Sequence, residues 1–211
     1  MTINVLITGT TGFIGKKFLN SINNDRYNIS LLSRKKISDY KTFICDLGEN
    51  DIPSEAFNNI DIVFHLAGYA HDIKNKKNES YLNEKINFEA SINIINKSIV
   101  SGVKKFVYIS STKAQDVEIN DQIKDQKKHM QITNFYGRSK KKVEDYLCEK
   151  CSSITMKYLI IRPALVYGPG VKGNLRTLVN IFKMFWFPPL PKTGNCKSMV
   201  HVDDLIDFPE L

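Results

Sequence analysis

The run Ile3-Asn4-Val5-Leu6-Ile7 leads straight into Thr8-Gly9-Thr10-Thr11-Gly12-Phe13-Ile14-Gly15, and a helical pattern begins near Phe13. A strand, a glycine-spaced turn and a helix in that order leave little choice of architecture. The glycines permit a tight turn and close approach of the backbone to a diphosphate, and the helix start offers free N–H groups with the positive end of its dipole. Gly15 would let the helix lie close on the sheet.

The pattern continues. Strands are expected at Ile3-Thr8, Asn28-Leu32, Thr42-Cys45, Ile60-Leu66, Phe106-Ser110 and Thr155-Ile161, with helices near Tyr81-Ser101 and Phe135-Lys150. Strands separated by helices imply right-handed crossovers and an α/β, doubly wound parallel sheet, and runs apolar at every position, such as Val5-Ile7 and Ile62-Phe64, fit a sheet covered on both faces. Residues 1–170 are read as one dinucleotide-binding domain. Residues 171–211 are read as a partial, apparently truncated substrate lobe, with a helix over Leu175-Phe185, a strand at Ser198-Val202 that returns to the first domain, and a helix starting at Asp203-Asp204. The polar stretch Lys113-Thr133 reads as a long loop of the kind that serves as a lid.

Bulk properties exclude more than they assign. The 211 residues, 42% hydrophobic, suffice for one full core and not for two large domains. Lys and Arg outnumber Asp and Glu by 30 to 22, a formal charge of +8. The basic residues are scattered, and without interleaved aromatics they argue against nucleic-acid binding while suiting phosphate-bearing small molecules. Cys45, Cys148, Cys151 and Cys196 make no disulfide framework, and Cys148-Cys151 lacks a second ligand pair, so no metal is expected. Strand-like sequence from Ile3 onward leaves no room for a leader, and Ile181-Leu190 is too short and too interrupted to span a bilayer, so the expected location is cytoplasmic.

Tyr136-Gly137-Arg138-Ser139-Lys140 opens the second long helix. Spacing of i, i+4 puts phenol and ammonium on nearly one face, about 6 Å apart along the axis. A phenol titrates near pH 10 and moves protons poorly at neutrality unless a nearby positive charge favours the phenolate. At the end of the second strand stands Ser33-Arg34-Lys35-Lys36 rather than a carboxylate. A hydroxyl and a guanidinium suit a 2′-phosphate on adenosine, so NADP(H) is favoured over NAD(H).

With G-x-x-G-x-x-G followed by Y-x-x-x-K, the chain resembles the extended short-chain dehydrogenase/reductase, or NAD-dependent epimerase/dehydratase, family from Ile3 to about Leu205, close to bacterial UDP-sugar 4-epimerases and UDP-4-keto-hexosamine reductases. That resemblance implies an NAD(P)-binding Rossmann fold in which Gly9, Thr11, Gly12, Phe13, Ile14 and Gly15 hold the diphosphate. It likewise implies that Asp46 and Leu47 lie on the adenine side, and that Leu66, Ala67, Gly68 and Pro163 lie near the nicotinamide end. Asn87 resembles the family's helix asparagine. Ser111 matches the family's serine after the fifth strand, so Ser111, Tyr136 and Lys140 are the implied catalytic group, with Lys140 also holding the ribose. Thr112, His71 and Asn174 are candidates for contacting a nucleotide-sugar. Arg162-Pro163 and Tyr167-Gly168-Pro169-Gly170 resemble the run that ends the sixth strand, and His201-Val202-Asp203-Asp204 resembles a late structural element.

The implied activity is epimerase or 4-ketosugar reductase chemistry at C4 of a UDP-hexose or UDP-N-acetylhexosamine in surface polysaccharide biosynthesis. Dehydration is disfavoured, because Lys113-Ala114 stands where a dehydratase carries Asp-Glu. The competing reading is a truncated or non-catalytic NAD(P)-binding protein. Pairing into a homodimer through the two long helices is expected.

Overall fold

The computed structural model describes residues 2–22, 25–49, 51–69, 79–115, 135–171, 174–183 and 197–207. Six strands, β1 (Ile3–Thr8), β2 (Tyr27–Ser33), β3 (Lys41–Ile44), β4 (Ile62–His65), β5 (Lys105–Ile109) and β6 (Lys157–Ile161), form one sheet in the order β3-β2-β1-β4-β5-β6. Every pairing is parallel. Strand order reverses direction between β1 and β4. In open sheets of this type ligands bind at such a switch point, outside the carboxyl ends of the strands.

Both faces are covered, which is why β1 is apolar without alternation. Val5 and Ile7 face one cluster with Phe18 and Leu19 of α1 (Phe13–Ser21), whereas Leu6 faces the other, with Ile94, Ile95, Val143 and Leu147. All three β1 side chains are wholly buried, each stabilising the fold by roughly 1.5–3 kcal/mol. Three segments, Glu79–Leu82, Asn83–Glu89 and Ala90–Val100, follow one another as a single helical rod, α2, whose middle is π-helical. Helix α3 (Phe135–Cys151) packs beside it on the same face.

After β6 come a short strand β7 (Leu165–Tyr167), helix α4 (Asn174–Phe182), strand β8 (Met199–His201) and helix α5 (Val202–Ile206). Strands β7 and β8 pair in parallel apart from the main sheet, and Val202 and Ile206 return to the α1 side of the core. Two readings are corrected here. Tyr167 belongs to a separate strand rather than the end of the sixth, because Arg162-Pro163 interrupts the run. The last helix starts at Val202 rather than at Asp203-Asp204, since the His201 side chain caps it by accepting from Asp203 N–H. Residues 116–134, holding most of the expected lid, and Cys196 lie outside the described residues. No helix among those described is long and apolar enough to cross a membrane.

Candidate active site

At the carboxyl end of β1 the backbone leaves no space for side chains. Gly9 sits at φ +78, and a Cβ there would lie 2.5 Å from the Ala67 nitrogen and 2.6 Å from the Leu66 carbonyl carbon. A Cβ on Gly15 would lie 2.2 Å from the Gly9 oxygen, so turn, helix and β4 end are in backbone contact. Gly12 N–H bonds the Gly9 carbonyl at 2.9 Å and closes the turn. No side chain caps α1 at Gly12, and its first turn holds no acid. The N–H groups of Phe13, Ile14 and Gly15 therefore open toward an anion, which fits a diphosphate. Thr11 is exposed beside them, and Phe13 and Ile14 are half-buried. The Gly168-Gly170 turn reaches this place from β7: a Cβ on Gly170, φ +91, would lie 4.0 Å from Phe13.

Next to the turn, His65 at the end of β4 is wholly buried between Thr8 Oγ1 at 2.7 Å and Ser91 Oγ at 2.8 Å. Ser91 donates its proton to the Asn87 carbonyl, so it accepts from His65 Nε2–H, and Nδ1 accepts from Thr8; the network assigns this tautomer. Thr8 Oγ1 in turn accepts from Ala67 N–H. Burial, aided by Lys140, pulls the imidazole pKa from 6.5 down to about 3, so His65 is neutral. Asn87, buried in the π-helical segment, holds the Tyr69 backbone from both sides: Oδ1 accepts from Tyr69 N at 2.6 Å and Nδ2 donates to Tyr69 O at 2.9 Å. The Leu66-to-Tyr69 stretch is thus fixed by two side-chain networks.

On α3, Tyr136 and Lys140 face the carboxyl end of β5. The Tyr136 hydroxyl and Ser111 are hydrogen-bonded. Lys140 is buried; its Nζ donates to Ile109 O at 2.8 Å, lies 4.7 Å from the Tyr108 ring centre and 5.9 Å from that of Tyr136. A Cβ on Gly68 would lie 3.2 Å from this ammonium and 3.3 Å from Asn87 Oδ1, so β4, β5, α2 and α3 converge here. Burial lowers the Lys140 pKa from 10.5 to about 7 against the opposing pull of Glu144. Burial raises that of Tyr136, with the Ser111 hydrogen bond lowering it. The net direction is upward. Proximity to an ammonium led to the opposite expectation, and desolvation outweighs it.

The remaining sequence candidates are distributed around this centre. Ser33 is buried at the end of β2, where Oγ accepts from Lys35 N at 3.4 Å; Arg34 beside it is exposed. Asp46 is half-buried and accepts from Gly48 N at 3.0 Å, and Leu47 packs on the core. Thr112 N donates to Pro163 O at 3.2 Å, bringing the β6 end against the Ser111 segment. Asn174 begins α4, and His71 lies outside the described residues. Arg162, which sequence alone leaves as a loop residue, grips the buried Glu144: Nε lies 3.0 and 3.1 Å from its two carboxylate oxygens. Glu144 was missed, and its only signal is a fourth-residue step beyond Lys140. Lys113 Nζ lies 5.6 Å from the Tyr136 ring centre, a second cation beside the phenol. Among the described residues no group of three or more His, Cys, Asp or Glu could hold a metal.

Over 99% of its length the chain is 30% identical to a UDP-glucose 4-epimerase of Vibrio cholerae, and spans 66% of that protein. It is 26% identical, again over 99%, to an N-acetyl-alpha-D-glucosaminyl-diphospho-ditrans,octacis-undecaprenol 4-epimerase of Escherichia coli O157:H7, spanning 62% of it. The chain is therefore shorter than two thirds of either relative. Among solved structures, MoeE5 in complex with UDP-glucuronic acid and NAD shares the fold with a TM-score of 0.74 at 20% identity, covering 96% of this chain and 69% of that one. Residues 5–208 match a single family description, and the chain belongs to the NAD dependent epimerase/dehydratase family.

Proposed function

We propose that this chain carries out nicotinamide-dependent redox chemistry at C4 of a nucleotide-linked hexose or N-acetylhexosamine, as an epimerase or 4-ketosugar reductase of surface polysaccharide biosynthesis. The observation that supports it most is the convergence of Ser111, Tyr136 and Lys140 next to a glycine turn that Cβ atoms cannot enter. A bound nicotinamide dinucleotide would supply hydride acceptance and donation. Gly9, Gly12 and Gly15 would seat its diphosphate; Asp46 and Leu47 would lie on its adenine side; Leu66, Ala67, Gly68 and Pro163 would lie toward its other end.

Tyr136 would exchange a proton with the sugar C4 oxygen. Ser111, already bonded to that phenol, would donate to the same oxygen as charge develops. Lys140, anchored on Ile109 O, keeps further protons for ribose hydroxyls, and its charge favours the phenolate when Tyr136 acts as base. Thr112, His71 and Asn174 are the proposed contacts to the nucleotide-sugar, and residues 171–211 its partial lobe. Preference for NADP(H) rests on Ser33 and Arg34; the solved relative described above holds NAD. A homodimer through α2 and α3 is proposed, its contact at the shallow groove lined by Phe88, Ile92, Asn96 and Tyr146.

The test is turnover of UDP-glucose, UDP-N-acetylglucosamine and a UDP-4-keto-hexosamine, with NAD or NADP(H) supplied, by the chain and by Tyr136→Phe. Interconversion without net cofactor change identifies an epimerase. NADPH consumption in proportion to a 4-ketosugar identifies a reductase. Turnover by Tyr136→Phe equal to the parent's, with both ligands bound normally, removes Tyr136 from the chemistry.

A further inference from the structure

Among the described residues Glu144 is the one buried carboxylate and Lys140 the one buried amine. They lie one helical turn apart on α3, in line with Tyr136 another turn back. Tyr136, Lys140 and Glu144 form a stripe of phenol, ammonium and carboxylate along about 12 Å of helix. The carboxylate does not take the ammonium. Both its oxygens go to Arg162, which reaches in from the end of β6 with a side chain 32% exposed, at 3.0 and 3.1 Å from Nε and 2.5 Å from Nη2. The ammonium bonds the neutral Ile109 carbonyl instead.

We propose that Glu144, gripped by Arg162, is a positioning residue: a fixed buried counter-charge that favours the protonated form of Lys140, while Arg162 prevents the carboxylate from closing on Lys140 and occupying the protons a ligand needs. The inference rests on Lys140 being the ammonium of the proposed site. The groups around Lys140 leave this task to Glu144. From β4 comes His65, neutral between Thr8 and Ser91; from β5 the Tyr108 phenol; from α3 the Tyr136 phenol; from α2 the uncharged Asn87. None is a negative charge at neutral pH. Burial works against the charged amine and Glu144 works for it. The same grip holds the strand ends together: Arg162 precedes Pro163, whose carbonyl receives Thr112 N–H, next to Ser111.

The experiment reads Lys140 directly in the full chain. Lysine labelled at Cε is followed by NMR from about pH 5 to about pH 11, spanning the ordinary and the lowered lysine range, and the Lys140 signal is the one lost in K140R. Glu144→Gln is expected to lower the Lys140 midpoint by about one pH unit or more, since the opposite charge one helical turn along, which favours the ammonium, is removed. Arg162→Met is expected to raise it, because the released carboxylate pairs with the ammonium, and to weaken NADH binding. A purely structural ion pair predicts lower melting temperatures for both variants and an unmoved Lys140 midpoint; that result, or a shift in the same direction in both variants, overturns the proposal. Where Glu144→Gln fails to fold, Glu144→Asp is expected to keep the midpoint within about half a unit, and a fall of a full unit there overturns it too. Because no turnover is needed, a failed assignment of Tyr136 or of the substrate is separable from failure of this proposal: Tyr136→Phe would retain activity while the opposite shifts in Lys140 persisted.

Discussion

Replacing Lys140 by Met should make the protein more stable and inactive. The ammonium is buried, and its pKa falls from 10.5 to about 7. At about 1.36 kcal/mol per unit, that drop corresponds to a ceiling of roughly 5 kcal/mol for holding the charge inside. Met matches the length of the stem and needs no hydration, although the Ile109 carbonyl loses its donor, so the expected net gain is about 2–3 kcal/mol. For a chain of this size that raises Tm by roughly 4–12 °C. The sign with pH is determined by the direction of the shift. The folded protein binds fewer protons than the unfolded one between about 7 and 10.5, so parental stability rises with pH across that window. The advantage of Lys140→Met is therefore greatest below pH 7 and shrinks toward pH 10. Paired melting curves of parent and variant at several pH values, monitored by circular dichroism, measure it. A variant no more stable than the parent at pH 6, or a difference flat with pH, refutes the claim that desolvation dominates at Lys140.

Other perturbations have equally definite outcomes. Gly15→Ala should gain about 1 kcal/mol of helix propensity yet destabilise by about 1–2 kcal/mol net, because its Cβ would lie 2.2 Å from Gly9 O; unchanged melting together with unchanged NADH fluorescence titration would contradict the close approach. Gly12→Ala, 3.1 Å from the same oxygen, should be milder. His65, lowered from 6.5 to about 3, contributes stability that is full above pH 6.5 and lost as pH falls toward 3; His65→Gln should flatten acid unfolding across that window, and a denaturant midpoint falling as steeply as the parent's would count against it. Asn87→Ala removes the two side-chain hydrogen bonds that hold the Tyr69 backbone, at a cost of about 1–3 kcal/mol, with faster hydrogen exchange at the Tyr69 amide as the specific readout.

Much of the frame is legible in the residues because it depends on local pattern. The β1 run, the glycine spacing and the four-residue step from Tyr136 to Lys140 each encode geometry within one element or one turn. Glu144 is different. On a helix where Lys140, Lys141, Lys142 and Lys150 are interspersed with Glu144, Asp145 and Glu149, one acid among three looks like part of a solvated face, and the partner of Glu144, Arg162, lies on another element, brought near by the β5-β6 pairing. Strand β7 is equally hidden: three residues become a strand because β8, more than thirty positions later, lies alongside them. The raised Tyr136 pKa was misjudged for a related reason, since the degree of burial is a property of the packed fold and not of the four-residue interval.

The π-helical stretch at Asn83–Glu89 has a consequence for tolerance of length changes. Bonds there span five residues, as from Ala90 N to Lys85 O, so the segment carries slack relative to α geometry and acts as a phase adjuster between the two ends of the rod. At the start of the stretch Glu84 meets Lys142 of α3; downstream of it, Ile94 and Ile95 fill the core. Deleting one residue within the stretch would let it relax to ordinary winding with its two ends still roughly in phase, so the change would fall on the stretch itself, pulling Asn87 off the Tyr69 backbone while leaving the hydrophobic composition untouched. Few single-residue edits could alter the site so completely with so little effect on what the chain is made of.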